Sequence, residues 1–317
     1  MIARRHLLTA ALLLATSFAA PAHAEDKPTE VRIGTQKGGL FPAVRQRQTL
    51  ENAFKPLGIE VKWIDFQFGP PLLEAINVGS VDFGFVGDTP PIFAQAGGAK
   101  IRYTAAVKSE GDNHAIIVPK DSPIKTLADL KGKRVAFAKG SSAHNLLVAA
   151  LEKAGLSWSD ITPAPLAPAD ATAAYVKGSV DAWSIWDPYL ALAELKENAR
   201  VLVFDKDVHK PNAYYIANSD FVEKYPSLVA KLNTTFAAEG AWANAHHEEV
   251  AKAQAEATGV DIDAIRRFVN RSTYSVVPID AEVVKTQQAV ADRFAKLSLI
   301  PKPVNISDIV WKWTPGS

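Results

Sequence analysis

The feature that most constrains this sequence is an internal repeat. Gly-Ser-Val-Asp occurs at 79–82 and again at 178–181, an offset of 99 residues, and the same offset relates Asp88 to Asp187. In each copy an apolar helical segment precedes the glycine, and residues after it alternate with the period of a strand. The sequence therefore predicts two similar units, each of which presents a loop at the carboxyl end of a strand.

The residues at the ends of these segments favour the same interpretation. Pro71 suits the first turn of a helix, where its missing N–H has no intrahelical partner, and Asp170 is predicted to cap the second helix. Gly79 and Gly178 then tolerate the left-handed backbone that ends a helix. Each copy is predicted to contain a helix, a turn, a strand and a loop.

A second pair of segments precedes the first. Residues 31–38 and 134–140 both resemble a strand that runs into Lys-Gly and then into a helix. Alternating strands and helices predict a mainly parallel sheet, with ligands at the carboxyl ends of its strands. The expected fold is α/β, with two similar lobes that face each other across one cleft.

The chain is predicted to cross between the lobes twice, at 113–118 and 212–216. These crossings divide it into a discontinuous first lobe, 25–117 and 217–317, and a second lobe, 118–216. The remaining N-terminal stretch is predicted to be a signal peptide, 1–24, because Arg4 and Arg5 precede an apolar run and Ala22-His23-Ala24 forms a cleavage site. That run is too short to span a membrane, so we expect export to the periplasm.

Composition excludes several classes of function. Lysine and arginine number 35 against 34 acidic residues, and no basic run occurs, so nucleic acid is not an expected partner. The chain has no cysteine, which excludes disulfides, thiolate metal sites and a lipid-modified cysteine. No phosphate-binding or dinucleotide-binding glycine motif is present, and adjacent His246 and His247 would diverge on a helix. We therefore expect that the protein binds no cofactor and no metal and that it is not an enzyme.

Two motifs favour binding of a small anion. Residues 139–145, Lys-Gly-Ser-Ser-Ala-His-Asn, open a helix whose exposed N–H groups attract negative charge. The alternative is an ordinary serine cap, and the missing Gly-x-Ser-x-Gly elbow argues against a serine hydrolase. Trp183 and Trp186 lie where a strand meets a loop, so at least one is predicted to line a cavity. The alternative for the second tryptophan is packing in the hydrophobic core.

Six segments of the sequence, which include both of these motifs, closely resemble the aliphatic sulfonate-binding proteins of bacterial ABC importers. The segments that carry the resemblance are Gln36-Lys37-Gly38, 73–84, 87–96, 122–132, 139–147 and 180–189. The resemblance implies a two-lobed periplasmic binding protein with two hinge crossings (type II). Such a protein is a monomer that delivers alkanesulfonates to a membrane permease and its ATPase.

A sulfonate accepts hydrogen bonds and donates none, so neutral donors suit it. The predicted head-group donors are the amide of Gln36, the backbone at Gly87, Asp88 and Thr89, the hydroxyl of Thr89, and the backbone and hydroxyls of Ser141 and Ser142. Trp183, Trp186 and Tyr214 are predicted to cover the alkyl tail. His144 lies beside the anion or orients its helix.

Asp88 and Asp187 are both predicted site residues, although a carboxylate repels a sulfonate. Three interpretations remain open: capping of the adjacent loop, contacts between the lobes that set closure, and recognition of an ammonium group on the ligand. Related binding proteins take taurine, nitrate or pyrimidine precursors, so a related anion or a sulfate ester is an alternative ligand. An enzyme on the same fold, similar to pyrimidine-precursor synthases, and a sensor domain are the alternatives from other classes.

Overall fold

Two β-sheets with helices packed on them form the protein, as a computed structural model that describes residues 27–109, 112–209 and 211–315 shows. The predicted signal peptide, 1–24, lies outside the described residues. In the described ranges no helix is both long and apolar enough to cross a membrane. The predicted α/β class with two lobes is confirmed.

The strands are distributed over both lobes. In chain order they are β1 (Glu30–Thr35), β2 (Glu60–Asp65), β3 (Phe83–Val86), β4 (Ile101–Lys108), β5 (His114–Pro119), β6 (Arg134–Phe137), β7 (Thr162–Pro165), β8 (Ala182–Trp186), β9 (Ala199–Phe204), β10 (Asn212–Asn218) and β11 (Ser275–Val277).

The α-helices vary from one and a half turns to more than five turns. In chain order they are α1 (Phe41–Gln46), α2 (Thr49–Phe54), α3 (Gly69–Asn77), α4 (Thr89–Ala96), α5 (Ser142–Lys153), α6 (Pro168–Val176), α7 (Tyr189–Lys196), α8 (Ser219–Lys224), α9 (Pro226–Ala245), α10 (His247–Thr258), α11 (Ile262–Asn270) and α12 (Ala281–Lys296).

Each lobe is built on one sheet. The first lobe contains six strands in the order β11-β4-β10-β3-β1-β2, and the second contains five in the order β7-β6-β8-β5-β9. Strand β1 is parallel to β2 and β3, as β6 is to β7 and β8. The carboxyl ends of β3 and β8, where the repeated aspartates lie, therefore open towards the same cleft.

The crossings between lobes lie a few residues earlier in the chain than predicted. Strand β5 pairs along its length within the second sheet, and β10 pairs within the first sheet with β3 and β4. The predicted crossings 113–118 and 212–216 are thus almost entirely strand, and the chain passes between the sheets after Lys108 and again after Phe204. Extended apolar sequence does not show which sheet a strand joins, because that depends on pairing with distant parts of the chain.

The repeated Gly-Ser-Val-Asp ties each helix-turn-strand unit to its first strand. Asp82 accepts a hydrogen bond from the backbone N–H of Arg32 at 2.7 Å, and Asp181 accepts one from that of Arg134 at 2.7 Å. The preceding glycines have positive φ, +71° at Gly79 and +67° at the corresponding position of the second copy. The two sequence repeats thus form the same local structure.

The predicted cap of α6 is wrong. This helix begins at Pro168, after Ala167, and Asp170 lies inside its first turn without a side-chain capping bond. Proline is favoured at the first helical position because its missing N–H costs nothing there. An acidic residue in the first turn still interacts favourably with the helix dipole, so Asp170 supports the helix from within.

Candidate functional site

A cavity of about 100 Å³ lies between the two lobes. The first lobe contributes the loop before α1, the starts of α3 and α4, and the region around 268–274, whereas the second contributes the start of α5 and the end of β8. Both crossings also reach the cavity, at Asn113 and Asn212. The site is therefore assembled from both halves of the repeat and completed at the hinge.

Six of the eleven predicted site residues line this cavity. They are Gln36, Gly87, Ser141, Ser142, Trp186 and Asp187. The other five, Asp88, Thr89, His144, Trp183 and Tyr214, are buried within 2% exposure and contact protein neighbours. Access to the cavity, rather than overall exposure, separates the two groups, since Asp187 is also only 2% exposed.

The two adjacent serines at the start of α5 differ in what they can offer a ligand. Ser141 donates both its hydroxyl and its backbone N–H to the carbonyl of Ala138, at 2.7 and 3.2 Å. The hydroxyl of Ser142 forms no hydrogen bond within the described residues, and Ser142 is the first residue of α5. The first N–H groups of a helix have no intrahelical partner, so Ser142 presents both an unused hydroxyl and a backbone donor.

Thr89 offers less than the sequence predicts, because its hydroxyl donates to the carboxylate of Asp88 at 2.9 Å and is buried. The other oxygen of Asp88 accepts from the side-chain amide of Asn145 at 2.6 Å. Asn145 lies on α5 of the second lobe and Asp88 on the first. Of the three interpretations of Asp88, capping is not supported, since its side chain forms no capping bond to α4, and the observed contact joins the lobes.

Asp187 combines capping with a contact between lobes. One carboxylate oxygen accepts from the backbone N–H of Ala191 in α7 at 2.9 Å, and the other lies 3.1 Å from the guanidinium Nε of Arg271 in the first lobe. The side chain is fully buried. Burial raises the pKa of Asp187 to about 7, against the opposing effect of Arg271. Both oxygens already face protein groups, so recognition of a ligand ammonium is not supported.

The two tryptophans of β8 point to opposite faces of the sheet. They are three residues apart, and side chains alternate along a strand, so an odd spacing separates them. Trp186 lines the cavity and packs edge-on against Tyr189, with ring centroids 6.2 Å apart. Trp183 is buried in the second lobe against Tyr175, with centroids 5.9 Å apart. The predicted role of Trp183 in covering a ligand tail is therefore wrong.

The same alternation corrects the prediction for Tyr214. Its ring packs edge-on against Tyr103 in the core of the first lobe, with centroids 5.0 Å apart. The neighbouring Tyr215 points to the other face of β10 and lines the cavity. Burial raises the pKa of both tyrosines well above their usual range. Their hydroxyls are neutral at any physiological pH.

His144 is an internal residue in an aromatic environment rather than a cavity residue. Its ring lies among Phe93 and Phe294 of the first lobe and Phe137 and Trp158 of the second. Its Nδ1 accepts a hydrogen bond from the N–H of Gly140 at 3.3 Å. Burial lowers the pKa of His144 to about 4, so the ring is neutral. Of the two predicted roles, the structure matches orientation of the α5 start.

Several cavity residues were not predicted from the sequence. Tyr215, Phe85, Phe268 and Tyr274 supply aromatic surface, and Lys108 supplies a cation at the end of β4. Phe85 lies two residues before the predicted Gly87, and Tyr215 directly follows the predicted Tyr214. The period of two along a strand could therefore have identified both from the sequence. Tyr274 and Phe268 come from a distant part of the chain, and no local pattern places them here.

Comparison with known proteins gives consistent matches. Residues 54–251 match the family model described as "NMT1/THI5 like". An aliphatic sulfonates-binding protein of Escherichia coli (strain K12) is 40% identical over 310 residues, which cover 97% of this chain and 96% of that protein. One from Bacillus subtilis (strain 168) is 33% identical, covering 89% of this chain and 85% of that protein.

A solved structure gives the same result for the fold. The alkanesulfonate-binding protein SsuA of Xanthomonas axonopodis pv. citri, bound to MOPS, superimposes with a TM-score of 0.86 at 39% identity. The match covers 90% of this chain and 99% of that one. Sequence and structure thus agree over nearly the whole described chain.

Proposed function

The chain belongs to the family of aliphatic sulfonate-binding proteins, and we propose that it captures aliphatic sulfonates in the cleft between its lobes. The family membership rests on relatives that match almost end to end. We further propose that the protein works in the periplasm as a monomer and hands its ligand to an ABC permease and ATPase. Its relatives are binding proteins, and we expect this chain to bind without turnover.

The observation that carries the proposal is the convergence of two helix starts on one cavity. The start of α4 at Gly87 belongs to the first lobe, and the start of α5 at Ser142 belongs to the second. Both helix ends carry positive partial charge, which favours an anion. Pro90 and Pro91 have no N–H, so the backbone donors of the first lobe are those of residues 87–89. An anion between them draws the lobes together, because the complete set of donors exists only when the cleft is closed.

The donors match the chemistry of a sulfonate head group. Three oxygens accept hydrogen bonds, and the group stays ionised at physiological pH. Within the described residues the hydroxyl and N–H of Ser142 have no hydrogen-bond partner, while Gln36 donates one amide N–H to the carbonyl of Phe85 at 2.7 Å and retains a second. The carboxylate of Asp187 is buried with its own partners, so it does not oppose the anion from the cavity wall.

Aromatic rings supply the surface for an apolar tail. Phe85, Trp186 and Tyr215 line the cavity beside the head-group donors, with Tyr274 and Phe268. Burying apolar area contributes about 25 cal/mol per Å², so affinity is expected to depend on tail length without strict selection. One cleft can then accept several sulfonates.

A thermal-shift panel followed by calorimetry tests the proposal. The panel contains C1 to C8 alkanesulfonates, taurine, sulfate and nitrate, with alkylammonium ions of matched length as controls of opposite charge. We expect a saturable shift with sulfonates and none with the ammonium ions. Mass spectrometry of the recovered ligand tests for turnover. A protein that binds nitrate or sulfate but no sulfonate, or that converts its ligand, would contradict the proposal.

A further inference from the structure

We propose that Lys108 is a specificity-determining residue that binds a carboxylate at the far end of the ligand. The inference deepens the proposed function and rests on it, since the sulfonate head is placed at Gly87 and Ser142. It names the preferred substrate class as sulfonates in which a short carbon chain ends in a carboxylate.

Lys108 is an exposed cation in the cavity wall with no acidic partner. It is the last residue of β4, lines the cavity and forms no ion pair within the described residues. Three carboxylates of the crossings and the cavity wall are engaged elsewhere: Asp112 with Lys206 at 2.7 Å, Asp205 with His209 at 2.9 Å and Asp187 with Arg271 at 3.1 Å. The positive charge of Lys108 is therefore not compensated by these neighbours.

The strand register fixes the separation between Lys108 and the head-group donors. Tyr214 of β10 pairs with Val86 of β3 on one side and with Ala106 of β4 on the other. Strands β3 and β4 are thus two strand spacings apart, about 10 Å. Lys108 lies two residues beyond Ala106, at the level where the 87–89 loop begins α4. A ligand with two or three carbons between its charges, with a hydrogen bond at each end, is about as long as this separation.

The wall around Lys108 is polar, in contrast to the aromatic middle of the cavity. Asn212 pairs with Lys108 in the sheet, and Asn113 and Thr273 line the same hinge side. An alkyl chain that ended here would remove water from a cation without replacing its hydrogen bonds, which is unfavourable. A carboxylate replaces them with a charge-assisted bond, so the same residue favours one tail and disfavours the other.

The test compares two ligands of one shape by calorimetry on the full mature protein. They are 3-sulfopropanoate and 3-methylbutane-1-sulfonate, in which two methyl groups replace the two carboxylate oxygens. The measured quantity is the ratio of their dissociation constants. We expect Lys108→Met to raise the ratio for sulfopropanoate over its isostere about tenfold relative to the unmodified protein.

Two further variants control for charge and chemistry. Lys108→Arg retains a cation and is expected to keep the ratio close to that of the unmodified protein. Lys120→Met removes the same charge from an exposed position just after β5, and this variant is expected to leave the ratio unchanged. The rise in the ratio of dissociation constants caused by Lys108→Met should also be smaller at high salt, because salt screens the interaction between the two charges.

The outcomes separate this proposal from the one on which it rests. If Lys108→Met weakens both ligands equally, the lysine acts only through long-range charge, and the carboxylate assignment is overturned while sulfonate binding stands. An unchanged ratio overturns it as well. If no sulfonate binds the unmodified protein, the proposed function itself fails, and the assignment of Lys108 fails with it.

Discussion

A β-carbon added to Gly87 would lie 1.9 Å from the hydroxyl oxygen of Ser142, although the two residues belong to different lobes. Gly87 follows β3 in the first lobe, and Ser142 begins α5 in the second. No real side chain tolerates such a distance. Glycine at this position therefore lets the two anion-binding helix starts meet, which is the close backbone approach for which glycine is suited.

Replacing this glycine is expected to obstruct closure. Gly87→Ala should weaken sulfonate binding at least tenfold, because the methyl group must turn the Ser142 hydroxyl out of its place or hold the lobes apart, while the ligand-free melting temperature changes little. Calorimetry gives the affinity, and small-angle scattering should show a smaller decrease in radius of gyration with ligand. Gly97→Ala is the matched control, since its φ is −78° and the added carbon stays 3.4 Å from its nearest neighbour. Equal effects from both variants would contradict this explanation.

The two serines of α5 are expected to separate ligand binding from local structure. Ser142→Ala removes an unused donor and should weaken sulfonate binding by about 1 to 3 kcal/mol without altering the fold. Ser141→Ala removes a bond to the Ala138 carbonyl and should lower thermal stability with a smaller effect on affinity. Calorimetry and thermal denaturation of the two variants measure both quantities. The reverse pattern would place the anion at Ser141.

The repeat explains how much of the fold was predictable. Gly79 and Gly178 mark equivalent turns, and the aspartates that follow them bind equivalent strands, so one local pattern predicted two units. The hinge was displaced because nothing in the local sequence of β5 or β10 shows which sheet each strand joins. Sheet membership is a long-range property, and a local pattern does not encode it.

The candidate site was predictable where local rules decide it. The start of α5 follows from its glycine and serines, but which serine has a free hydroxyl depends on the Ala138 carbonyl. Spacing alone should have separated Trp183 from Trp186, because an odd interval in a strand divides two faces. The contacts of Arg271 and Asn145 with the two aspartates could not be predicted from local sequence, since each residue lies in the opposite lobe to the aspartate it contacts.

The contact between Asp88 and Asn145 is expected to stabilise the closed state. Asn145→Ala should weaken sulfonate binding severalfold although neither side chain lines the cavity, because a hydrogen bond between lobes is lost only on opening. A double-mutant cycle with Asp88→Asn isolates the pair, and we expect a coupling energy of about 0.5 to 3 kcal/mol in affinity. Additive effects on affinity would show that the bond does not contribute to closure.

His144 is expected to make the fold sensitive to acid. Burial lowers the pKa of His144 to about 4, whereas an unfolded histidine has a pKa near 6.5, so the unfolded state binds more protons between these values. The free energy of unfolding should therefore be highest above pH 6.5, fall as the pH drops towards 4, and lose about 3 kcal/mol to this group.

Denaturant titrations across that pH range measure the effect. His144→Phe suits the surrounding rings and does not titrate, so its stability relative to the unmodified protein should rise by about 3 kcal/mol as the pH falls from 6.5 to 4. The control is His247→Gln on α10, which keeps His144 in place. A difference that stays constant with pH for His144→Phe would contradict the assignment of a buried, neutral ring.

Trp186 is expected to set the dependence of affinity on tail length. The head-group donors serve every sulfonate equally, whereas each methylene covered by an aromatic wall should contribute about 0.8 kcal/mol, or roughly fourfold in affinity. Affinity should rise from methanesulfonate to a mid-length chain and then level off as the cleft fills. Trp186→Ala should flatten that rise more than it weakens methanesulfonate binding. The matched control is Trp183→Phe, which lies on the other face of the same strand and should lower thermal stability while leaving the rise intact. If Trp186→Ala instead cost the same free energy at every chain length, its ring would act on the head group or on closure, and the tail would lie elsewhere in the cavity.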